Sequence, residues 1–313
     1  MSVKPTVLVV NNFHPETIEK LASLYHTYHL WEFSDPEKAE LIKNLQHKCN
    51  AVASASWMFD EIVYDLSSIE IISCFGVGVD AIDFDITRDR NIKVTNTPDV
   101  LNDSVADIAM TLILTTSRNI INADKFVRNN DWLDGSFPFG YSLDGKTLGI
   151  IGLGRIGEAI AKRALTFGLD IAYHNRSAKD LPFTYFPSLL ELAEASDILL
   201  CMLPGGENTQ NIIGSDVFKK LGPSGTFINI GRGSSVDESA LIKALQNKEI
   251  RAAGLDVYAN EPRVPAALLG MNNVTLLPHI GSATIETRRE MGNLQTKNLE
   301  AYFSGQSLLT EVA

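Results

Sequence analysis

The stretch Thr147-Leu-Gly-Ile-Ile-Gly152-Leu-Gly154-Arg155-Ile156-Gly157 decides the fold. An apolar, β-branched run ends in three glycines spaced G-x-G-x-x-G, and a helix-period segment, Glu158–Leu165, follows at once. A strand that gives way to a helix so abruptly needs a tight turn, which Gly152 allows. Gly154 lets the backbone approach a pyrophosphate. Gly157 lets the helix pack closely on the sheet, with its N-terminal N–H groups aimed at the anion. The glycine spacing alone is a weak signal, since glycines also end strands for structural reasons. The strand before it and the helix after it mark a dinucleotide site.

The next strand bears on which dinucleotide. A site for NAD usually ends this strand with a carboxylate that accepts hydrogen bonds from the ribose 2′-hydroxyl. Here the strand ends Ile171-Ala-Tyr173-His174-Asn175-Arg176-Ser177. No carboxylate repels a 2′-phosphate, and Arg176 with the Ser177 hydroxyl can bind one. A charge-assisted contact of this kind contributes about 1.5–3 kcal/mol, or roughly ten- to hundredfold in preference. The residues therefore predict NADPH, with NADH as a weaker cofactor.

Three later segments each leave an expected strand carrying one reactive side chain: Ile230-Gly231-Arg232-Gly233, Asp256-Val-Tyr-Ala-Asn-Glu261-Pro262 and Pro278-His279-Ile-Gly281-Ser282. In an open α/β sheet, ligands bind beyond the carboxyl ends of the strands, so these turns can converge. Arg232 can hold a substrate carboxylate in a two-pronged fashion and polarise an oxo group. His279 can give a proton to a developing alkoxide and take it back in the reverse direction. Glu261, if it meets the imidazole, fixes the ring and favours its protonated form. Singly, each has an ordinary structural explanation; together, downstream of one nucleotide turn, they read as a catalytic set.

Outward from this centre the chain alternates strands and helices. Thr6–Val10, Thr27–Trp31, Ala51–Ala53, Glu70–Cys74 and Lys93–Thr95 read as strands, with a helix over Pro15–Leu24 and another opening at Ser34-Asp35-Pro36. A long helical stretch is expected from about Asp103 to Arg128, then a loop over Asp134–Tyr141. Further strands fall at Thr147–Ile151, Asp170–Tyr173, Ile198–Cys201, Thr226–Asn229, Arg251–Leu255 and Val274–Leu276. The last stretch, Ala283–Phe303, is one helical pattern that can reach back to the first unit. This is α/β logic: two doubly wound parallel sheets.

A chain of 313 residues suggests about two domains, and a hydrophobic fraction of 45% suits a globular core. No apolar stretch approaches the ~20 residues of a membrane span, and no leader pattern is legible, so a cytoplasmic protein is expected. A net charge of −11 disfavours nucleic acid and anionic membranes as partners. An anionic substrate must then be caught by local cations. The three cysteines, Cys49, Cys74 and Cys201, form no paired motif and read as small buried thiols. No metal site is expected.

The chain resembles the D-isomer-specific 2-hydroxyacid dehydrogenase family, and within it the glyoxylate/hydroxypyruvate reductases. The resemblance is carried by Phe75-Gly76-Val-Gly78-Val-Asp80, Asn102-Asp-Ser-Val-Ala-Asp107, the glycine turn and the three segments above. It implies a Rossmann dinucleotide domain, residues 99–285, inserted into a flavodoxin-like substrate domain, residues 1–98 with 286–313. It implies Arg232 as substrate binder, Glu261 as assistant and His279 as acid/base, with the backbone at Val77 and Gly78 on the substrate carboxylate. Around the cofactor it implies Gly152, Gly154, Arg155, Ile156, Gly157, Asn175, Arg176, Ser177, Leu203, Pro204, Thr209, Ile230, Gly231, Asp256, Gly281 and Ser282. It also implies a homodimer formed largely through the nucleotide domain, in which Trp132 either reaches the neighbour's active site or anchors the interface.

The resemblance sets Ala53-Ser54-Ala55-Ser56-Trp57-Met58-Phe59 against the substrate's side chain. That segment holds no Lys or Arg, which argues against a phosphorylated substrate, as does the lack of a C-terminal regulatory segment; Trp57, Met58 and Phe59 equally suit ordinary packing. Glyoxylate and hydroxypyruvate are the expected substrates; a sugar-derived 2-oxo acid or an arylpyruvate stays open. A dinucleotide-sensing scaffold on the same fold is the alternative of a different class. A formate- or phosphite-type NAD dehydrogenase is disfavoured by the missing acidic residue and missing N-terminal extension.

Overall fold

The computed structural model describes residues 4–55 and 58–312. The chain divides into two compact units, Met1–Leu101 with Thr284–Ala313, and Asn102–Ala283.

The first unit contains β1 (Thr6–Val9), α1 (Pro15–Leu24), β2 (His26–His29), α2 (Asp35–Leu45), β3 (Cys49–Ala55), β4 (Ile71–Phe75), α3 (Phe84–Asp89) and β5 (Lys93–Thr95). The strands form one parallel sheet in the order β2-β1-β3-β4-β5, a flavodoxin-like order. Strands covered on both faces are largely apolar, and Val7, Leu8, Val52, Ile71, Ile72 and Val94 are fully buried. Ser34 caps α2, and its N–H donates to Glu37 Oε2 at 2.8 Å to close a capping box. β2 stops at His29, where a 3₁₀ turn over Leu30–Glu32 takes the place of the strand expected to continue to Trp31. The C-terminal helix returns to this unit: the Gln295 amide donates to the Ser73 carbonyl at 2.8 Å, and Arg289 grips Glu16 with bonds of 2.6 and 2.8 Å.

The second unit contains α4 (Asn102–Arg118), α5 (Ile120–Arg128), β6 (Thr147–Ile151), α6 (Arg155–Thr166), β7 (Asp170–His174), β8 (Thr184–Tyr185), α7 (Leu189–Ala195), β9 (Ile198–Cys201), α8 (Ser215–Leu221), β10 (Thr226–Asn229), α9 (Glu238–Gln246), β11 (Ala252–Leu255), α10 (Ala266–Leu269) and β12 (Val274–Leu276), and α11 (Ile285–Phe303) follows in the first. Its seven strands pair in parallel in the order β12-β11-β10-β9-β6-β7-β8. The winding reverses beside β6, so the carboxyl ends of β6 and β9 flank the crevice where such sheets bind ligands.

The single helix expected over Asp103–Arg128 is in fact two. Asn119 adopts a left-handed φ of 51°, which ends α4 and starts α5 in a new direction. Among the described residues no helix is long and apolar enough to cross a membrane.

Candidate active site

The turn after β6 is built as its glycines require. Gly152 sits at φ +90°, and a Cβ there would come within 3.0 Å of the Met202 carbonyl. A Cβ on Gly157 would lie 3.1 Å from the Gly152 carbonyl, so the helix packs tightly on the turn. Gly154 forms the N-cap of α6 with no side-chain cap, and the space beside its Cα is open. A twelve-residue helix beginning this way, with Arg155, Ile156 and Gly157 in its first turn, fits the pyrophosphate of a dinucleotide.

At the end of β7 the Asn175 side chain faces back to this turn. Its Oδ1 accepts the Leu153 N–H at 2.7 Å and its Nδ2 donates to the Leu153 carbonyl at 3.2 Å. Arg176 and Ser177 follow, both exposed, and among the described residues Arg176 has no ion pair. Past β9, the Thr209 hydroxyl donates to the Pro204 carbonyl at 2.7 Å. Gly231 lies against this segment, since a Cβ there would meet the Leu203 carbonyl at 2.6 Å. Of the residues named for the cofactor, those from Gly152 to Gly231 follow the carboxyl ends of β6, β7, β9 and β10, and Asp256, Gly281 and Ser282 follow those of β11 and β12.

Two residues that sequence reasoning missed hold the Arg232 backbone. Asn229, buried at the end of β10, donates from Nδ2 to the Arg232 carbonyl at 3.0 Å and accepts the Gly231 N–H at 3.1 Å. The Ser235 hydroxyl donates to the same carbonyl at 2.7 Å. Gly233 then touches the neighbouring turn so closely that a Cβ would lie 1.8 Å from the Tyr258 carbonyl carbon. No motif flags Asn229 or Ser235, because both act through main chain.

Glu261 and His279 meet. Glu261 Oε2 and His279 Nδ1 are 2.6 Å apart, and Glu261 Oε1 accepts the Tyr258 N–H at 3.0 Å. Burial by itself raises the Glu261 carboxyl, but the His279 hydrogen bond and charge, the Tyr258 N–H and the Arg232 charge together hold it below its ordinary range. A cavity of about 250 Å³ opens beside the pair, with Tyr258, Pro262, Val264, Leu269 and Leu276 in its largely apolar wall.

Asp256, almost wholly buried, organises the segment that carries His279. Its carbonyl accepts the His279 N–H at 2.8 Å, and its carboxylate oxygens accept the N–H groups of Ile280 and Gly281, each at 2.8 Å. Burial pushes this carboxyl up, against the pull of those two N–H groups and of His279. The Ser104 hydroxyl donates to the Gly281 carbonyl at 2.8 Å, and Ser282 follows, half-buried.

Val77 and Gly78 belong to the first unit, in the turn after β4. There the Thr97 hydroxyl accepts the Gly76 N–H at 2.9 Å and the Asn96 amide donates to the Val77 carbonyl at 2.8 Å. In the segment expected to face the substrate, Ser56 and Trp57 lie outside the described residues. Met58 is exposed, and Phe59 packs on Tyr64 at 5.1 Å between ring centres. Trp132 is exposed, two-thirds of its surface open.

A pyrophosphate turn at the switch point of a doubly wound sheet, beside a paired imidazole and carboxylate, defines a dinucleotide-dependent oxidoreductase. Residues 110–281 match the D-isomer-specific 2-hydroxyacid dehydrogenase NAD-binding domain. The chain is 45% identical to a glyoxylate/hydroxypyruvate reductase of Arabidopsis thaliana, covering 94% of each, and 41% identical to a 2-ketogluconate reductase of Gluconobacter oxydans, covering both fully. It also resembles the solved NADPH-dependent glyoxylate/hydroxypyruvate reductase of Sinorhizobium meliloti in complex with NADP and malonate, with 43% identity, a TM-score of 0.92 and coverage of 99% and 97%. The chain belongs to the D-isomer-specific 2-hydroxyacid dehydrogenase family. It is an NAD(P)-dependent enzyme that interconverts 2-oxo and 2-hydroxy acids.

Proposed function

We propose that this enzyme reduces glyoxylate and hydroxypyruvate with NADPH. The observation that carries the chemistry is the 2.6 Å contact between Glu261 and His279, on a carboxylate that also feels the Arg232 charge. Arg232 binds the substrate carboxylate and polarises the oxo group. His279, oriented through Nδ1 by Glu261, delivers a proton from Nε2 to the oxygen of the reduced carbon. Bound NADPH supplies the hydride. The backbone at Val77 and Gly78 takes the part in carboxylate binding that the family resemblance assigns to it.

Residues 99–285 form the dinucleotide domain and residues 1–98 with 286–313 the substrate domain. Gly152, Gly154, Arg155, Ile156 and Gly157 hold the pyrophosphate, while Asn175, Arg176 and Ser177 take the 2′-phosphate side. Leu203, Pro204, Thr209, Ile230, Gly231, Asp256, Gly281 and Ser282 line the rest of the cofactor site. NADPH is supported by the absence of a carboxylate where β7 ends and by the NADPH dependence of the Sinorhizobium relative. The enzyme acts as a homodimer in the cytoplasm, a compartment that suits three free buried cysteines.

A second substrate reading has its own support: relatives include the 2-ketogluconate reductase and a hydroxyphenylpyruvate reductase of Plectranthus scutellarioides at 47% identity. A panel of 2-oxo acids, followed at 340 nm with NADPH and with NADH, decides. The proposal expects the highest kcat/KM for glyoxylate or hydroxypyruvate with NADPH. Preference for ketogluconate or an arylpyruvate replaces the substrate, and no turnover with any acid points to a dinucleotide-sensing scaffold.

A further inference from the structure

The chain returns from β7 to the parallel strand β8 through residues 175–183, with no helix to carry it. A crossover that short leaves backbone polar groups without regular partners, and one side chain supplies them. Tyr173, fully buried in β7, directs its hydroxyl into the loop. That oxygen accepts the Lys179 N–H at 2.8 Å and donates to the Lys179 carbonyl at 3.2 Å, using both hydrogen-bonding roles of a phenol on one residue. Its ring packs on Tyr185 at 5.3 Å, and the Tyr185 hydroxyl donates to the Asn175 carbonyl at 3.3 Å. At the other end the Asn175 side chain is tied to Leu153. The Lys179 ammonium completes the arrangement on Glu158, at 2.6 Å, in the first turn of α6. Arg176 and Ser177 thus lie in a segment pinned at both ends, at residues 175 and 179.

We infer that Tyr173 is a positioning residue for NADPH selectivity: its hydroxyl, by clasping Lys179, holds the 176–177 segment ready for a 2′-phosphate. The inference rests on the NADPH reading above. A phosphate-binding loop that is already ordered does not have to be ordered when the ligand arrives, and that entropy goes into affinity. Only a cofactor carrying the 2′-phosphate gains from this. Loss of the clasp therefore separates NADPH from NADH, whereas a general scaffolding role weakens both alike.

The test measures dissociation constants of NADPH and NADH by fluorescence titration for the full-length wild type, Tyr173→Phe, Arg176→Ala and the double variant. Tyr173→Phe keeps the ring and removes the hydroxyl. It is expected to weaken NADPH about five- to tenfold, NADH less than about twofold, and to add less than about twofold in the Arg176→Ala background. Equal weakening of both cofactors, unchanged NADPH affinity, or a full additional loss in the double variant overturns the inference while leaving the Arg176 assignment standing. Arg176→Ala without a selective effect on NADPH brings down the NADPH reading and this inference with it. Should Tyr173→Phe fail to fold, Lys179→Pro removes the clasped N–H at an exposed position and is expected to give the same selective loss. Lys179→Gln, which keeps that N–H, is expected to cost less than about twofold; if Pro and Gln behave alike, the clasp is not the cause.

Discussion

His279 adopts φ +54°, a left-handed conformation that a residue with a Cβ takes only when its surroundings enforce it. Asp256 enforces it by accepting three consecutive N–H groups, two on its carboxylate and one on its carbonyl. Asp256→Ala orphans the N–H groups of Ile280 and Gly281, and each orphan costs about 1–3 kcal/mol. The variant is expected to lose about 2–6 kcal/mol in urea unfolding and to lose kcat as well; a loss below about 0.5 kcal/mol would show that the cage is idle. Glu261→Gln keeps a hydrogen-bonding group but removes the charge. The wild-type carboxyl is held below its ordinary value of 4.5, so the folded state favours its charged form. Its contribution is fully present above that value and disappears as the pH falls through the lower, folded value. The stability gap between wild type and Glu261→Gln is therefore expected to be full at neutral pH and to narrow below pH 4.5; a gap unchanged in acid would sever the link to the carboxylate. The Glu261–His279 contact, within reach of the Arg232 charge, was legible in the sequence as a candidate set because the chemistry of all three is in the side chain. Asn229 and Ser235 were not, because what they bind is the carbonyl of another residue, a fact of the fold alone.

At the level of elements, the β6–α6 turn holds a glycine whose replacement leaves the local packing room to spare. Gly154 has a φ of −94° and open space where a Cβ would stand. Gly154→Ala is thus expected to keep its melting temperature within about 2 °C of wild type while weakening NADPH and NADH alike, about tenfold or more, because a methyl group blocks backbone approach to the pyrophosphate. A large drop in melting temperature would mean that the glycine serves the fold instead. Gly233 is the opposite case. A Cβ there would fall 1.8 Å from the Tyr258 carbonyl carbon, so Gly233→Ala must push the β10 and β11 turns apart, and with them Arg232 and Glu261. Calorimetry should record a destabilisation above about 3 kcal/mol, with kcat/KM falling alongside. The sheets themselves were readable from sequence because strands covered on both faces favour apolar runs, unbroken at Ile198–Cys201 and flanked by buried polar residues at Thr226–Asn229. The break at Asn119 was not, since one left-handed residue leaves the helical periodicity on either side intact. Nor was β8, whose two residues are too few for any period.

For the molecule as a whole, the segment from α5 onward concentrates exposed apolar side chains. Ile120, Ile121, Val127, Trp132, Leu133 and Phe139 are all exposed, Leu133 by 86% and Phe139 completely. Large apolar side chains concentrated within twenty residues are the kind of surface that the proposed dimer would bury, and aromatic anchors of this kind dominate interface energetics. A chain with a net charge of −11 repels its own copies, so a dimer must gain enough apolar burial here to overcome that repulsion. The wild type is expected to show a mass of about twice 34.3 kDa by light scattering. Leu133→Arg combined with Phe139→Arg should return it to a single chain, because two buried cations facing the partner would go unpaired. Raising the salt concentration should tighten the wild-type dimer by screening the mutual repulsion. Trp132 then decides between its two roles. If it reaches the neighbour's active site, Trp132→Ala leaves a dimer with reduced kcat/KM; if it anchors the interface, the same variant dissociates, and activity falls only as far as the dimer does. A wild type that remains a single chain at micromolar concentration, fully active, would remove both roles and leave this apolar arm to a different protein partner.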